Sequence, residues 1–141
     1  MTQAMLLTRF YQLPRQRREV LLRAVLAVTG ASAAVALLPF RSAIRFGSVR
    51  ANERGVLKPD ECVWAIEAAA RRLPWRTMCI EKGLAAQRML RGAGVDAVLH
   101  YGARHADGSG KLQAHVWVSV AGETIIGGEE AAHFAEIATY P

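Results

Sequence analysis

Apolar and polar positions along the chain follow a helical period first and a strand period last. The Ala/Val/Leu-rich run from Glu19 to Leu38 predicts a helix stopped before Pro39. Its uncharged part, Ala24 to Leu38, is 15 residues long. A membrane-spanning helix needs about 20, so the run reads as a helix buried in the fold or packed on a partner, with a peripheral membrane contact as the minor alternative. Residues 41–58 contain Gly47 and Gly55 and read as a connection, with one helical turn around Phe40–Phe46. Pro59 suits the first turn of a helix, Asp60 and Glu61 favour its dipole, and Val63, Ile66 and Ala70 recur at helical spacing. That helix ends by Leu73. The next is expected to be capped by Thr77, with Glu81 in its first turns, and to stop near Gly92 and Gly94. Cys79, Gly83, Ala86 and Leu90 share one of its faces.

The period then falls to two. Val95, Ala97, Leu99 and Tyr101 alternate with Asp96, Val98 and His100. A turn-rich loop at 105–111 leads to a second strand, Gln113–Val120, and Ala121-Gly122 turns into a third, Glu123–Ile126. Glu129–Ile137 reads as a short helix or a further strand. Helices followed by a three-stranded antiparallel meander make an α+β order. A natural division is an N-terminal helical extension, 1–58, and a core, 59–141.

Composition sharpens this reading. Of the 141 residues, 52% are hydrophobic and 21% charged, which suits one globular domain and excludes a disordered chain. Three Trp and four Phe promise large core pieces. The net charge of +6 is unevenly placed: residues 1–50 hold eight Arg against one acid, Glu19. A nucleic-acid binder would be expected to spread such charge over one folded face, so no nucleic acid is expected as partner. Arg residues flanking an apolar helix suit an anionic partner or a membrane surface. No segment reads as a secretory signal, and the location expected is cytoplasmic, with membrane association through the N-terminal helix as a variant. The two cysteines, Cys62 and Cys79, imply neither a disulfide nor a C-x-x-C zinc site. No metal and no cofactor is expected.

A cysteine attacks only as thiolate, a form favoured at a helix N-terminus beside an imidazole. Cys79 falls where a helix should begin, and the free amides there can also hold an oxyanion. Cys62, inside a helix after two acids, reads as a small core residue. The candidate base is His115, in Ala114-His115-Val116-Trp117-Val118. On that strand His115, Trp117 and Ser119 share one face and Ala114, Val116, Val118 and Val120 the other. The spacing alone fits a satisfied core histidine equally well. His100 looks less constrained than His115, and His105 and His133 look solvated.

The blocks Leu73-Pro74-Trp75-Arg76, Cys79 through Leu90, Gly94-Val95, Leu99-His100-Tyr101-Gly102 and Ala114 through Val118 resemble, in order and spacing, the transglutaminase-like leader peptidases of lasso-peptide biosynthesis. The resemblance covers about the whole chain, including the basic, apolar N-terminal helix. It implies a papain/transglutaminase-like cysteine peptidase core, in which a helix carrying the Cys packs on a small antiparallel sheet. Such proteins cut the leader from a ribosomally made precursor peptide. The partners implied are a separate leader-recognition protein, which this chain lacks within residues 1–58, and an asparagine-synthetase-like cyclase.

The resemblance carries the nucleophile onto Cys79 and the base onto His115. The family pattern often adds an orienting Asp about a dozen residues after the His. Here that region reads Ile125-Ile126-Gly127-Gly128, and no Asp follows Asp107. Glu129 is the first candidate to take that role; Glu130, a backbone carbonyl or Ser119 are the others. Substrate is expected near Trp75 and Trp117.

Overall fold

A computed structural model of the chain describes residues 2–51, 57–106, 108 and 110–141. The helical half consists of α1 (Gln3–Gln12), α2 (Arg15–Leu37), α3 (Phe40–Ala43) running into a 3₁₀ turn (Ile44–Gly47), α4 (Pro59–Arg72) and α5 (Cys79–Gly92). The second half is β1 (Ala97–His105), β2 (Leu112–Val120), β3 (Glu123–Ile126), the single turn α6 (Gly128–Ala131) and β4 (Ala135–Tyr140).

The punctuation of the sequence explains most boundaries. Pro59 opens α4, with Asp60 and Glu61 in its first turn and Arg71 and Arg72 in its last, the charge order that a helix dipole favours. After α5, Gly94 takes a left-handed backbone, φ +86°, and the Val95 amide returns to the Leu90 carbonyl at 2.9 Å. Ala121 and Gly122 both have positive φ, 51° and 80°, and make the tight turn between β2 and β3. The long apolar helix starts four residues earlier than its pattern indicated, directly after Pro14. α1 was not anticipated; it buries no residue fully, and only Phe10 of it packs against the core cluster.

The sheet has four antiparallel strands in the order β3-β2-β1-β4, where the sequence suggested three. The segment after β3 is both of the things expected of it: one helical turn, then a strand that crosses to the far edge and pairs with β1. Leu99 opposite Val118 and Tyr101 opposite Val116 place apolar side chains on one face, and α5 packs there. A Cβ on Gly83 would lie 3.1 Å from Leu99 Cδ1 and 3.3 Å from Val116 Cγ2, so this glycine lets α5 settle close to the sheet. His100 opposite Trp117 and Gly102 opposite His115 alternate to the other face.

One buried cluster runs through the molecule, from Val28 and Ala31 of α2 through Ile66 of α4 and Leu84 and Leu90 of α5 to Leu99 and Val118 of the sheet. A boundary at residue 58 therefore does not separate two cores. The core is built of Ala, Val, Leu and Ile. Trp117 is the one buried Trp among the described residues, and no described Phe is buried. By length and composition α2 could cross a membrane, yet its inner face is held by α4 and α5.

Candidate active site

Cys79 is the first residue of α5. The expected cap, Thr77, does not cap it. Met78 occupies the capping position, and its amide donates to the Glu81 carboxylate at 3.1 Å, the acidic half of a capping box. Cys79 is a free, half-buried thiol packed against the margin of the core. The amides of the first helical turn have no acceptor within the helix and remain available to a negatively charged oxygen.

His115 lies on β2 with its ring held from two sides. Nε2 donates to the carbonyl oxygen of Gly127 at 2.8 Å. A carbonyl only accepts, so the proton sits on Nε2 and Nδ1 carries the free lone pair. Gly127 follows β3 in a left-handed conformation, φ +76°. A Cβ on it would come within 2.8 Å of the Val116 carbonyl oxygen, so the turn that presents this acceptor requires glycine. Nδ1 stands 3.9 Å from a Glu130 carboxylate oxygen. That carboxylate is largely exposed, which screens its pull on the ring. Phe134 lies against the imidazole at 5.1 Å between ring centres, and Trp117 stacks on it at 6.0 Å.

Three of the four expected orienting groups can now be placed against the fourth. Glu129 borders the site but forms no hydrogen bond to His115. Glu130 is near the opposite ring nitrogen, and Ser119 binds a different histidine. Of the four, the Gly127 carbonyl is the one hydrogen-bonded to His115.

Cys79 and His115 border one cavity of about 640 Å³, together with Val63, Glu67 and Lys82 and the strand-to-turn segment from Thr124 to Glu130. Lys82 and Glu67 form an ion pair across its wall at 3.2 Å. Both residues line this space, but the His115 side chain lies with that of Trp117 on the sheet face away from α5, and the thiol and the imidazole are not hydrogen-bonded to each other. Neither tryptophan expected to meet substrate borders the cavity. Trp75 instead donates from Nε1 to the Ser32 hydroxyl of α2 at 3.0 Å, and Trp117 is buried on the sheet face away from α5. A second cavity of similar size lies between α2 and α5, lined by Val20, Ala27, Phe46 and Met89 among others, and contains no nucleophile.

Cys62 is fully buried, with its sulfur 3.9 Å from the Ala86 carbonyl oxygen. Burial, with the nearby Glu61 charge as a smaller cause, pushes its thiol up to about 12. It stays protonated at neutral pH and is a core residue.

His100, which its sequence position makes less constrained than His115, is held on three sides. Nδ1 pairs with the Glu136 carboxylate and Nε2 meets the Ser119 hydroxyl at 2.6 Å, while the ring stacks on Trp117 at 5.5 Å and 3° between planes. Trp117 is thus sandwiched between His100 and His115. This arrangement was hidden because Glu136 reaches His100 only through β4, a strand the sequence left ambiguous.

Among the described residues no group of three or more His, Cys, Asp or Glu side chains could hold a metal ion. Comparison with curated proteins and with solved structures gave no match. Comparison with protein families matches residues 19–139 to the Transglutaminase-like superfamily, and the match begins inside α2. Members of that superfamily are typically cysteine-dependent enzymes, either peptidases or acyl transferases. With a helix-borne cysteine and a strand-borne histidine on one cavity, and a family match over most of its length, the chain belongs to the transglutaminase-like superfamily.

Proposed function

We propose that this chain is a cysteine peptidase that removes the leader from a lasso-peptide precursor, acting with a separate leader-recognition protein and alongside an asparagine-synthetase-like cyclase. Family membership supports a cysteine-dependent enzyme. The ordered blocks around Cys79, Gly102 and His115 support the finer reading. The single observation that carries the chemistry is the shared cavity of Cys79 and His115.

In this mechanism His115 Nδ1 takes the thiol proton, and the Cys79 sulfur attacks the scissile carbonyl carbon. The oxyanion so formed lies at the start of α5, where helix amides point. The imidazolium returns its proton to the leaving amine as the C–N bond breaks, which leaves a thioester on Cys79. His115 then deprotonates a water that attacks the thioester, and the leader acid and the free thiol are regenerated. Contact between base and nucleophile is commonly loose without substrate and tightens in the complex. The Gly127 carbonyl keeps the ring in the tautomer this sequence needs.

The test is leader removal from the precursor by the chain with its recognition protein, read by mass spectrometry. Cys79→Ala is expected to slow cleavage about a thousandfold or more. A free leader acid supports hydrolysis, whereas a joined adduct would assign an acyl transferase. Cleavage by Cys79→Ala at the wild-type rate would reject Cys79 as the nucleophile, and no cleavage by the wild-type chain with its recognition protein would leave a scaffold role only.

A further inference from the structure

α2 is apolar on two opposite faces, and the fold uses only one. Val20, Ala24, Val28, Ala31 and Ala34 are buried toward α4 and α5. Leu22, Leu26, Thr29, Ala33 and Leu37, three or four residues apart, form an opposite stripe that is exposed throughout. Leu26 is 73% exposed and Leu37 81%. A helix that is apolar all round is normally covered on all sides, and no described element covers this face.

Charge brackets the stripe. Arg15 and Arg18 precede Leu22 by two turns and one on the same side of the helix, and the exposed Arg41 and Arg45 follow its C-terminal end. The only acid in the first 50 residues, Glu19, is already paired with Arg15 at 3.1 Å. The stripe between these basic ends is about 22 Å long at the helical rise. It consists of Leu, Ala and Thr, with no aromatic or polar anchor of the kind that dominates protein interfaces. Spanning a bilayer would require α2 to leave α4 and α5; lying flat does not.

We propose that the outer face of α2 docks on an anionic lipid surface, with the Leu22–Leu37 stripe at the acyl boundary and the flanking arginines on the phosphates. The docking is independent of the chemistry at Cys79. It would hold the enzyme at the membrane face by a surface other than its cavity, which α2 does not border.

The experiment is co-sedimentation of the full chain with phosphatidylcholine vesicles and with mixed phosphatidylcholine–phosphatidylglycerol vesicles. Binding to the mixed vesicles at low salt is expected, with release as salt is raised. Leu22→Glu/Leu26→Glu should abolish it while the far-ultraviolet spectrum stays that of the wild type. Arg41→Gln/Arg45→Gln should weaken it about thirtyfold, about fivefold per arginine. The proposal is overturned if neither vesicle binds, if both bind equally, or if the leucine variant binds as well as wild type. A dimer in sedimentation velocity that Leu22→Glu/Leu26→Glu dissociates, without vesicle binding, would likewise overturn it and assign the stripe to a second copy of the chain.

Discussion

The imidazole of His115 donates through Nε2 to the backbone carbonyl of Gly127, 2.8 Å away and twelve residues along the chain. A peptide oxygen thus makes the contact for which Glu129 was the first candidate. It fixes which ring nitrogen is basic but brings no negative charge to an imidazolium. Glu129→Gln is accordingly expected to leave turnover unchanged. Glu130→Gln should lower kcat by less than about tenfold, because its carboxylate is exposed and 3.9 Å from the ring. Steady-state kinetics on the two variants checks both, and a collapse of activity in Glu129→Gln would reject the assignment of the orienting group.

Gly127→Ala combines a positive φ with a clash against the Val116 carbonyl, so it should destabilise the fold by about 1–3 kcal/mol. Because the displaced group is the histidine's own acceptor, activity should fall further than the folded fraction. Urea unfolding beside activity at matched folded fraction measures the difference.

The two cysteines should behave oppositely toward an alkylating reagent. In the native chain one adduct is expected, on the half-buried Cys79; a second, on Cys62, should appear only after denaturation. Intact-mass and peptide analysis distinguishes them. The thiol of Cys62 also predicts a pH dependence. Its proton is held to about 12 in the folded state against 9.0 ordinarily, so above about pH 9 the unfolded chain binds fewer protons than the native one. Stability should be unaffected by this group below pH 9 and fall as pH rises from 9 toward 12, a slope absent in Cys62→Ala. Urea midpoints across that range provide the readout.

His100→Phe keeps a ring against Trp117 but removes both hydrogen bonds and leaves the buried Ser119 hydroxyl unpaired. A loss of about 1–3 kcal/mol is expected, part of it recovered by adding Ser119→Ala. The four corners of that double-mutant cycle, measured in urea, would show no recovery if Ser119 were already satisfied elsewhere.

Local signals carried most of this architecture. Pro39, Pro59 and Gly94 act on backbone torsions and hydrogen-bond supply within a few residues, so the helix ends they mark were legible. Alternation around Leu99 marked β1, and β2, buried on both faces from His115 to Ser119, was marked by its Val-rich run. What was not legible depends on pairing at a distance. β4 has an almost wholly exposed, weakly alternating sequence, and it is a strand because β1 offers it an edge. Trp75 is tied to Ser32, 43 residues away, and no local pattern announces that bond. Cys79 and His115 were singled out by the chemistry of their positions and by resemblance, but the hydrogen-bond partner of His115 required the register between β2 and β3. Thr77 was a reasonable cap by type; the helix begins one residue later, and the backbone of Met78 with Glu81 supplies the closure.

Activation of the Cys79 sulfur by His115 is the step on which the proposed chemistry rests. Its most direct test is capture of a peptidyl vinyl sulfone by the full chain, followed by peptide mapping, in wild type, His115→Asn and Cys62→Ala. A single adduct is expected on Cys79 in wild type and in Cys62→Ala, formed about a hundredfold more slowly in His115→Asn. Equal rates of capture with and without His115, or modification of Cys62 in its place, would contradict it.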